Sequence, residues 1–420
     1  MITKLFPHQE TGKLFLTQRS RACLFWEVGT GKTNAVISAV NTLPRGKLLI
    51  LAPKCVITGM WEKYDDLPIN HNYELVSYEY VSRHTKDFST RQYDYVICDE
   101  CHKLKSVKSK IGKTIRMLAR KSTQYVWGLT GTPYATSFLD VYGIFLNLGI
   151  KEFDNTYESF MHEYYHCDII YVNAGRYIYR PSRLKSGMLD ILVKRIGRHA
   201  SVLRSEDCVD LPGLTIKEIE IEGMRSQEFI DGAKGIITYA DEHQETVNKL
   251  ACVQKLHQMS NGFVYDASRK AYVFMENKKL AICEALVEME LEERHKLIIT
   301  YIYQYDYECL AKMLENMKIS YTSDFDEFSS VQVLLLQEQR AIGVNLQAFT
   351  SCMIFFTYSY AYLEYNQAVG RIYRTGQKEP CMIYALINKG TAERKIWNAV
   401  QKAYDMDTTF KSLMSNLEDY

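Results

Sequence analysis

At 420 residues the chain is too long for a single ordinary core and is sized for two domains of roughly 150 to 200 residues each. With 47% hydrophobic and 24% charged residues it has the composition of a folded soluble protein, and no window approaches the roughly 18 unbroken apolar residues of a membrane-spanning helix. Lysine plus arginine number 51 against 50 for aspartate plus glutamate, so net charge neither demands nor forbids a polyanionic partner; a binding surface has to come from local segregation of charge.

The N-terminus, Met1 to His8, lacks the basic segment, apolar run and small-residue cleavage site of a secretory signal, so the chain is expected to stay in the cytoplasm, the host's if it is virally encoded. The first chemistry-bearing segment is Ala22-Cys-Leu-Phe-Trp-Glu-Val-Gly-Thr-Gly-Lys-Thr33, an apolar strand, a glycine-containing loop and then the helical Asn34–Val40. Such a loop wraps backbone N–H groups of Gly29, Thr30 and Gly31 around phosphate at a helix N-terminus; Lys32 neutralises the outer phosphates and the Thr33 hydroxyl holds Mg²⁺. The glycine usual five residues before Gly31 is Trp26, and by itself such a short pattern also recurs in ordinary loops.

Further along, Lys47–Pro53, Tyr93–Glu100 and Tyr125–Pro133 are short apolar runs, each followed by a break and a helical pattern, the rhythm of a parallel sheet with crossover helices. Tyr95-Val-Ile-Cys-Asp-Glu-Cys-His102 ends such a strand in adjacent carboxylates. Asp99 is suited to binding Mg²⁺ and Glu100 to polarising the water that attacks a terminal phosphorus. Alone they read better as an exposed acidic strand end; with the Lys32 loop they read as a phosphohydrolase site. From Lys103 to Lys121 there are eight basic residues and no acidic one, a nucleic-acid-facing patch or, for most of these lysines, a solvated helix face; Ile111, Ile115, Met117 and Leu118 give that helix a buried side.

Between 147 and 204 the rhythm lapses into Tyr-, His- and Arg-rich text, read as a helical insertion with a short strand candidate at Ile169–Val172. Leu214–Ile221 alternates like a strand and Met224–Gln258 reads as helix. The α/β rhythm returns in Lys296–Tyr301, Val331–Gln337, Cys352–Thr357 and Cys381–Ile387. The expected organisation is a first lobe at 1–225, a helical segment at 226–274 and a second lobe at 275–420, without internal repeats or low-complexity tracts.

Asp99-Glu-Cys-His102 resembles the DExH box of superfamily two helicases and translocases, and other motifs of that superfamily follow in order. Leu5-Phe-Pro-His-Gln9 is similar to the element whose glutamine reads adenine, implying that role for Gln9. Leu51-Ala-Pro-Lys54 followed by Trp61, and Val76-Ser-Tyr-Glu79, resemble motifs Ia and Ib, which border the nucleic-acid path and nominate Pro53, Lys54, Ser77 and Tyr78. Leu129-Thr-Gly-Thr-Pro133 resembles motif III, which with His102 couples the ATP site to nucleic acid through Thr130 and Thr132. Ala341-Ile-Gly-Val-Asn-Leu-Gln347 resembles motif V and Gln367-Ala-Val-Gly-Arg-Ile-Tyr-Arg-Thr-Gly-Gln377 motif VI, nominating Gly343, Asn345 and Gln367 near the nucleotide. Arg371 and Arg374 are implied to stabilise charge on the transferring phosphoryl group when the lobes close; their plainer reading is a solvated basic helix face.

Arg374-Thr-Gly-Gln377, Lys389-Gly-Thr-Ala-Glu-Arg-Lys-Ile396, Leu256-His-Gln-Met-Ser-Asn-Gly262 and Val202-Leu-Arg204 with Asp210-Leu-Pro212 resemble the Swi/Snf-type branch, with Ser205 where an arginine is usual. The resemblance implies an α/β protein of two tandem RecA-like P-loop lobes with flanking helices and a helical insertion. It also implies an ATP- and Mg²⁺-dependent motor on nucleic acid, double-stranded DNA preferred and RNA next, acting as a monomer without membrane association. A strand-separating helicase for branched DNA or RNA is the first alternative, and an ATP-switched binding module without motor activity the second.

Three other patterns are weighed and set aside. His162-Glu-Tyr-Tyr-His166 has the spacing of a zinc protease motif but lies in the insertion, on a short helix without a third ligand. Cys98 and Cys101 form a CxxC at a strand end rather than at an exposed helix start, and the scattered cysteines fit reduced thiols. None of the 31 tyrosines is assigned to base stacking.

Overall fold

The structure, a computed structural model, describes residues 4–57, 61, 68–121, 124–134, 137–153, 156–173, 176–208, 211–224, 227, 229–233, 246–266, 268–338 and 345–415. The chain divides into two compact units, Met1–Asp210 with Asp405–Tyr420, and Leu211–Tyr404. Among the described residues, no helix is long and apolar enough to cross a membrane.

The strands of the first unit are β1 (Arg21–Trp26), β2 (Lys47–Ala52), β3 (Asn72–Ser77), β4 (Tyr95–Asp99), β5 (Tyr125–Leu129), β6 (Tyr165–Asn173), β7 (Arg176–Leu184) and β8 (Ala200–Leu203). Six of them form a sheet in the order β3-β2-β4-β5-β1-β8, every neighbouring pair parallel. A parallel sheet is covered by helices on both faces, so its strands are apolar throughout rather than alternating: Leu48–Ala52 and Tyr95–Asp99 are buried residue after residue. Because all six strands run one way, the segments following β1, β2, β4, β5 and β8 leave from the same edge, where ligands of open α/β sheets collect.

The region 147–204 is not simply helical. Helices Tyr157–Tyr164 and Met188–Gly197 flank an antiparallel hairpin, β6 with β7, and β8 returns to pair with β1 in the main sheet. The strand candidate Ile169–Val172 is the middle of a nine-residue strand, because the Ile/Tyr-rich text on both sides of the turn supplies cross-strand pairs for its whole length.

The second unit contributes β9 (Leu214–Ile221), the small pair β10 (Phe263–Tyr265) and β11 (Ala271–Val273), then β12 (Leu297–Tyr301), β13 (Tyr321–Thr322), β14 (Val333–Gln337), β15 (Cys352–Phe355) and β16 (Cys381–Asn388). Its main sheet, also all parallel, has the order β13-β14-β12-β15-β16-β9. The boundary therefore lies after Asp210 and not at 225, and the second unit starts well before 275. The alternation of Leu214–Ile221 announces a strand, but its partner Cys381–Asn388 is far along the chain and nothing local names it. The final residues, from Asp405 on, belong to the first unit rather than the second. Of the helix expected at Met224–Gln258, Thr246–Ser260 is present and 225–226, 228 and 234–245 lie outside the described residues.

The second unit is organised around a buried polar network. Lys279, 0% exposed, places its ammonium against Glu393, also 0% exposed, and donates to Phe356 O at 2.7 Å and Asn261 Oδ1 at 3.1 Å. Glu393 accepts from Asn388 N at 2.8 Å, and Asn388 Nδ2 donates to Ser260 O at 2.7 Å. The segments 256–262 and 389–396, distant in sequence, are thus joined through their polar side chains inside a core.

Glu338, immediately after β14, is buried with Ser359 N donating to it at 2.8 Å. Burial raises its carboxyl from 4.5 to about 8; the Ser359 bond opposes the rise and Glu364 adds to it. The folded state holds this proton more tightly than the unfolded chain, so its contribution is fully present below about 4.5 and is lost as pH rises through about 8. Glu338→Gln is expected to flatten the fall in stability between those limits; urea titrations at pH 5 and pH 9 showing the same fall in both proteins would refute this.

Candidate nucleotide-binding site

The loop after β1 has the backbone a phosphate loop needs. Gly29 and Gly31 have φ of 89° and 77°, left-handed values that glycine adopts freely, and Gly31 leads directly into helix Lys32–Val40. A Cβ on Gly31 would stand 2.1 Å from Gln9 Nε2. Gln9 is itself buried, with Nε2 donating to Thr30 O at 3.3 Å and Oε1 accepting from Phe6 N at 3.0 Å. The loop is tied from within: Thr30 Oγ1 donates to Glu27 O at 2.8 Å, and Lys32 Nζ to Trp26 O at 2.9 Å and Glu27 O at 3.0 Å. Thr33 is half-buried in the first turn of the helix.

Trp26, where a glycine is usual, ends β1 with its ring fully buried beneath helix Pro7–Thr17; a Cβ on Gly12 would come within 2.2 Å of it. Its indole donates to Ser201 Oγ at 3.0 Å. The large ring therefore packs the sheet to the preceding helix and leaves the turn to Gly29 and Gly31. Ser205, the second departure, fixes the loop from the β8 side: its N donates to Glu27 Oε2 at 2.9 Å and its Oγ to Val28 O at 3.2 Å.

Glu27 also receives Lys411 Nζ at 2.9 Å, and Lys411 pairs with Asp407 at 2.6 Å. Burial raises the Glu27 carboxyl, but Lys411 and Ser205 outweigh it and leave the group below its ordinary range. These residues escaped sequence reading because the contact between Glu27 and Lys411 spans most of the chain.

Across β5 from this loop, β4 ends in the carboxylate pair. Asp99, 4% exposed, accepts from Trp61 Nε1 at 2.8 Å and from Glu100 N at 3.0 Å. Burial, followed by the neighbouring Glu100, raises its carboxyl to about 6. Glu100 occupies left-handed backbone (φ 51°, ψ 50°), an uncommon conformation for a residue with a Cβ and one that turns consecutive carboxylates apart.

The hydroxyl of Thr130, just past β5, donates to Glu100 Oε2 at 3.2 Å and accepts from Thr132 N at 3.2 Å. His102 Nδ1 lies 3.1 Å from both Thr130 Oγ1 and Glu100 Oε2. With the Thr130 proton committed to Glu100, the consistent tautomer of His102 carries its proton on Nδ1. Glu100, His102, Thr130 and Thr132, nominated from separate motifs, thus form one connected polar cluster.

The other nominated residues are distributed as follows. Pro53 precedes the short helix Lys54–Val56 at the end of β2, and Lys54 is exposed. Ser77 caps helix Tyr78–Arg83, accepting from Tyr80 N at 3.1 Å. Tyr78 is only 3% exposed and donates to Asp99 O at 2.7 Å, so it props the acidic turn and presents no surface to a nucleic acid.

In the second unit, helix Tyr362–Val369 carries buried Gln367 and ends before the two arginines, which sit in the turns beyond it and not on a helix face. Arg371 is 7% exposed and its Nε donates to Gln367 O at 3.0 Å. Arg374 Nη1 donates to Asn345 Oδ1, while its buried Nε has no hydrogen-bond partner among the described residues. Gly343 lies outside the described residues.

The zinc pattern does not assemble: His162 is in helix Tyr157–Tyr164 whereas His166 is in β6. Among the described residues no group of three or more His, Cys, Asp or Glu is placed to hold a metal. Cys98 and Cys101 are fully buried free thiols, both pushed well up by that burial. In the basic stretch, Lys103, Lys105, Lys108, Lys110 and Lys113 are exposed while Ile115 and Leu118 are buried.

The family model of the SNF2-related domain matches residues 63–201. Curated relatives match over nearly the whole chain. The Caenorhabditis elegans homolog of SWI/SNF-related matrix-associated actin-dependent regulator of chromatin subfamily A-like protein 1 is 22% identical, covering 97% of this chain and 62% of that protein. The mouse DNA repair and recombination protein RAD54B is also 22% identical, covering 94% and 55%. By these matches the chain is similar to the Swi/Snf-like branch of superfamily two. It spans about three fifths of the length of these relatives. Among solved structures, the Pyrococcus furiosus Hef helicase domain superposes with a TM-score of 0.53 at 14% identity, covering 94% of this chain and 98% of that one. The two six-stranded parallel sheets are accordingly the cores of tandem RecA-like lobes.

Proposed function

We propose that this Swi/Snf-like chain hydrolyses ATP and uses the cycle to move along double-stranded DNA. The observation that carries the reading is the convergence, at one edge of the first sheet, of the Gly29–Thr33 loop, the buried Asp99–Glu100 turn and Thr130. Loop N–H groups and Lys32 bind the phosphates, and Gln9, packed on the loop, reads the base. Glu100 orients the attacking water and takes its proton; the water oxygen bonds the terminal phosphorus as the bond to the ADP oxygen breaks and ADP leaves.

Asp99 and Thr33 fit a Mg²⁺ ion: they are hard oxygen donors, and a buried carboxylate beside a second one is a position that a divalent cation stabilises. Bound there, the ion neutralises phosphate charge. The Glu100–Thr130–His102 contacts offer a route by which events at the nucleotide reach the rest of the lobe. Arg371 and Arg374 are proposed to support turnover by stabilising phosphoryl charge, as the family resemblance implies. DNA is favoured by the likeness to SNF2-related proteins, and the name of the RAD54B relative records a DNA-repair role for that protein.

The deciding experiment is ATPase rate against single-stranded, double-stranded, forked and four-way DNA and RNA. Double-stranded DNA is expected to stimulate most, with stimulation falling steeply as salt rises because the contacts are to phosphate. A rate indifferent to every nucleic acid would leave the ATP-switched binding module in its place. Efficient unwinding of a simple fork would replace translocation by strand separation.

A further inference from the structure

A buried cation outside every nucleotide motif sits against the phosphate loop. Lys411, in the last turns of helix Ala392–Ser415, is 1% exposed, and a lysine is almost never fully buried without a counter-charge. Its ammonium has two: it donates to Glu27 Oε1 at 2.9 Å and lies 2.6 Å from Asp407 Oδ2, one turn back on the same helix. Burial opposes the charge, but Asp407 and Glu27 outweigh it and hold the ammonium proton above the ordinary range of a lysine.

The same segment, which from Asp405 on belongs to the first unit, also touches the other side of the nucleotide site. Tyr134, buried two residues beyond Thr132, donates its hydroxyl proton to Met406 Sδ at 3.5 Å. The terminal helix thus meets both the segment leaving β1 and the segment leaving β5.

Glu27 makes the first of these contacts consequential, because it follows β1 directly and all its polar groups are engaged. Its N donates to Leu203 O at 3.0 Å, and its O accepts from Thr30 Oγ1 at 2.8 Å and Lys32 Nζ at 3.0 Å. Its two carboxylate oxygens divide their work: Oε2 accepts from Ser205 N at 2.9 Å and Oε1 from Lys411. Thr30 and Lys32 are in the loop, Leu203 and Ser205 at the end of β8, so the orientation of Glu27 sets how the loop leaves the sheet. Without the ammonium, Glu27 and Asp407 would be two carboxylates held around the place it occupied.

Resting on the ATPase reading, we propose that Lys411 is a positioning residue of the nucleotide site: through Glu27 it fixes the phosphate loop in the shape that binds ATP. Loop N–H groups grip the phosphates of the ground state and of the transition state alike, so loosening the loop raises KM and leaves kcat nearly unchanged. Glu100, on the turn after β4, keeps its own contacts to Thr130 and His102 and is not touched by the change.

The test is Lys411→Met in the full chain, with KM and kcat for ATP and the affinity for a fluorescent ATP analogue measured from pH 6 to pH 8. KM and the analogue's dissociation constant are expected to rise about tenfold at pH 8, with kcat within about twofold of wild type. The pH profile carries the signature of an electrostatic role. In the wild type burial pushes the Glu27 carboxyl up, but Lys411 and Ser205 leave it below its ordinary range, so it stays ionised throughout. In the variant burial acts without the ammonium, and on acidification a proton shared by Glu27 and Asp407 takes its place. The ratio of variant to wild-type KM should therefore shrink as pH falls from 8 to 6. The other groups acting on Glu27, namely Arg204, Cys208 and, through its backbone oxygen, Lys32, are present in both proteins and cancel in that ratio.

Glu27→Gln keeps the decision open if Lys411→Met folds poorly, since Lys411 retains Asp407 and no buried cation is stranded. An amide has one oxygen where the carboxylate offers two, so Ser205 N and Lys411 cannot each keep their own acceptor, and KM should rise about threefold or more without a pH-dependent ratio. KM and analogue affinity within twofold of wild type in both variants overturn the proposal. So does a KM ratio for Lys411→Met that does not move with pH, because a purely structural lysine would give that result. A wild-type chain that hydrolyses no ATP sinks the ATPase reading instead, and the analogue's affinity in the same variants still decides whether Lys411 shapes the loop.

Discussion

Glu100→Gln is expected to lower ATP turnover by about 10²- to 10⁴-fold while leaving nucleotide binding within a few-fold of wild type. The amide keeps an oxygen to accept from Thr130 Oγ1, now 3.2 Å from Glu100 Oε2, but carries no negative charge with which to polarise water. Its similar size also suits the left-handed turn at position 100, so the cluster with His102 and Thr130 should remain folded. Steady-state phosphate release and binding of a fluorescent ATP analogue, measured on the same preparation, separate the two effects. Turnover near the wild-type rate would remove Glu100 from the water-activating role.

The second large effect is on stability. Lys279→Met is expected to cost about 3–5 kcal/mol, because it strands Glu393 without its counter-charge in a fully buried site. Burial alone disfavours the charged form of both partners: it raises the Glu393 carboxyl and lowers the Lys279 ammonium, and each offsets the other's penalty by attraction. The double variant Lys279→Met/Glu393→Gln should therefore lose less than the sum of the single changes. Urea unfolding, read with hydrogen exchange of β12 and β15, reports the second unit separately from the first. A loss below about 1 kcal/mol in the single variant would mean that the pair is replaceable by ordinary packing.

Several features legible in the sequence keep their identity in the structure but change their work. Tyr78 was nominated for nucleic acid and instead supports the Asp99 turn from inside the core. Arg371 and Arg374 have helical spacing, yet the helix stops at Val369 and the arginines are held by Gln367 O and Asn345. Spacing alone cannot distinguish a helix from the turns that follow it. Trp26 and Ser205, which depart from the family pattern, are both absorbed by packing and hydrogen bonds around the phosphate loop. The tyrosines of the hairpin reverse the expectation that aromatics sit in cores, since only strand pairing reveals that three of them share one open face.

By itself the sequence determined the local chemistry: the glycines that permit the loop, the lysine and threonine at its helix, the paired carboxylates at a strand end, and the α/β alternation of two lobes. Each depends on a few adjacent residues, and backbone sterics and side-chain chemistry act over that range. Only the tertiary structure decided which strands share a sheet, that β9 belongs to the second unit, that Lys411 reaches Glu27, and that Lys279 and Glu393 neutralise one another. Those pairings join residues dozens to hundreds of positions apart. They are selected by burial of the whole core, for which no short stretch of sequence carries the pattern.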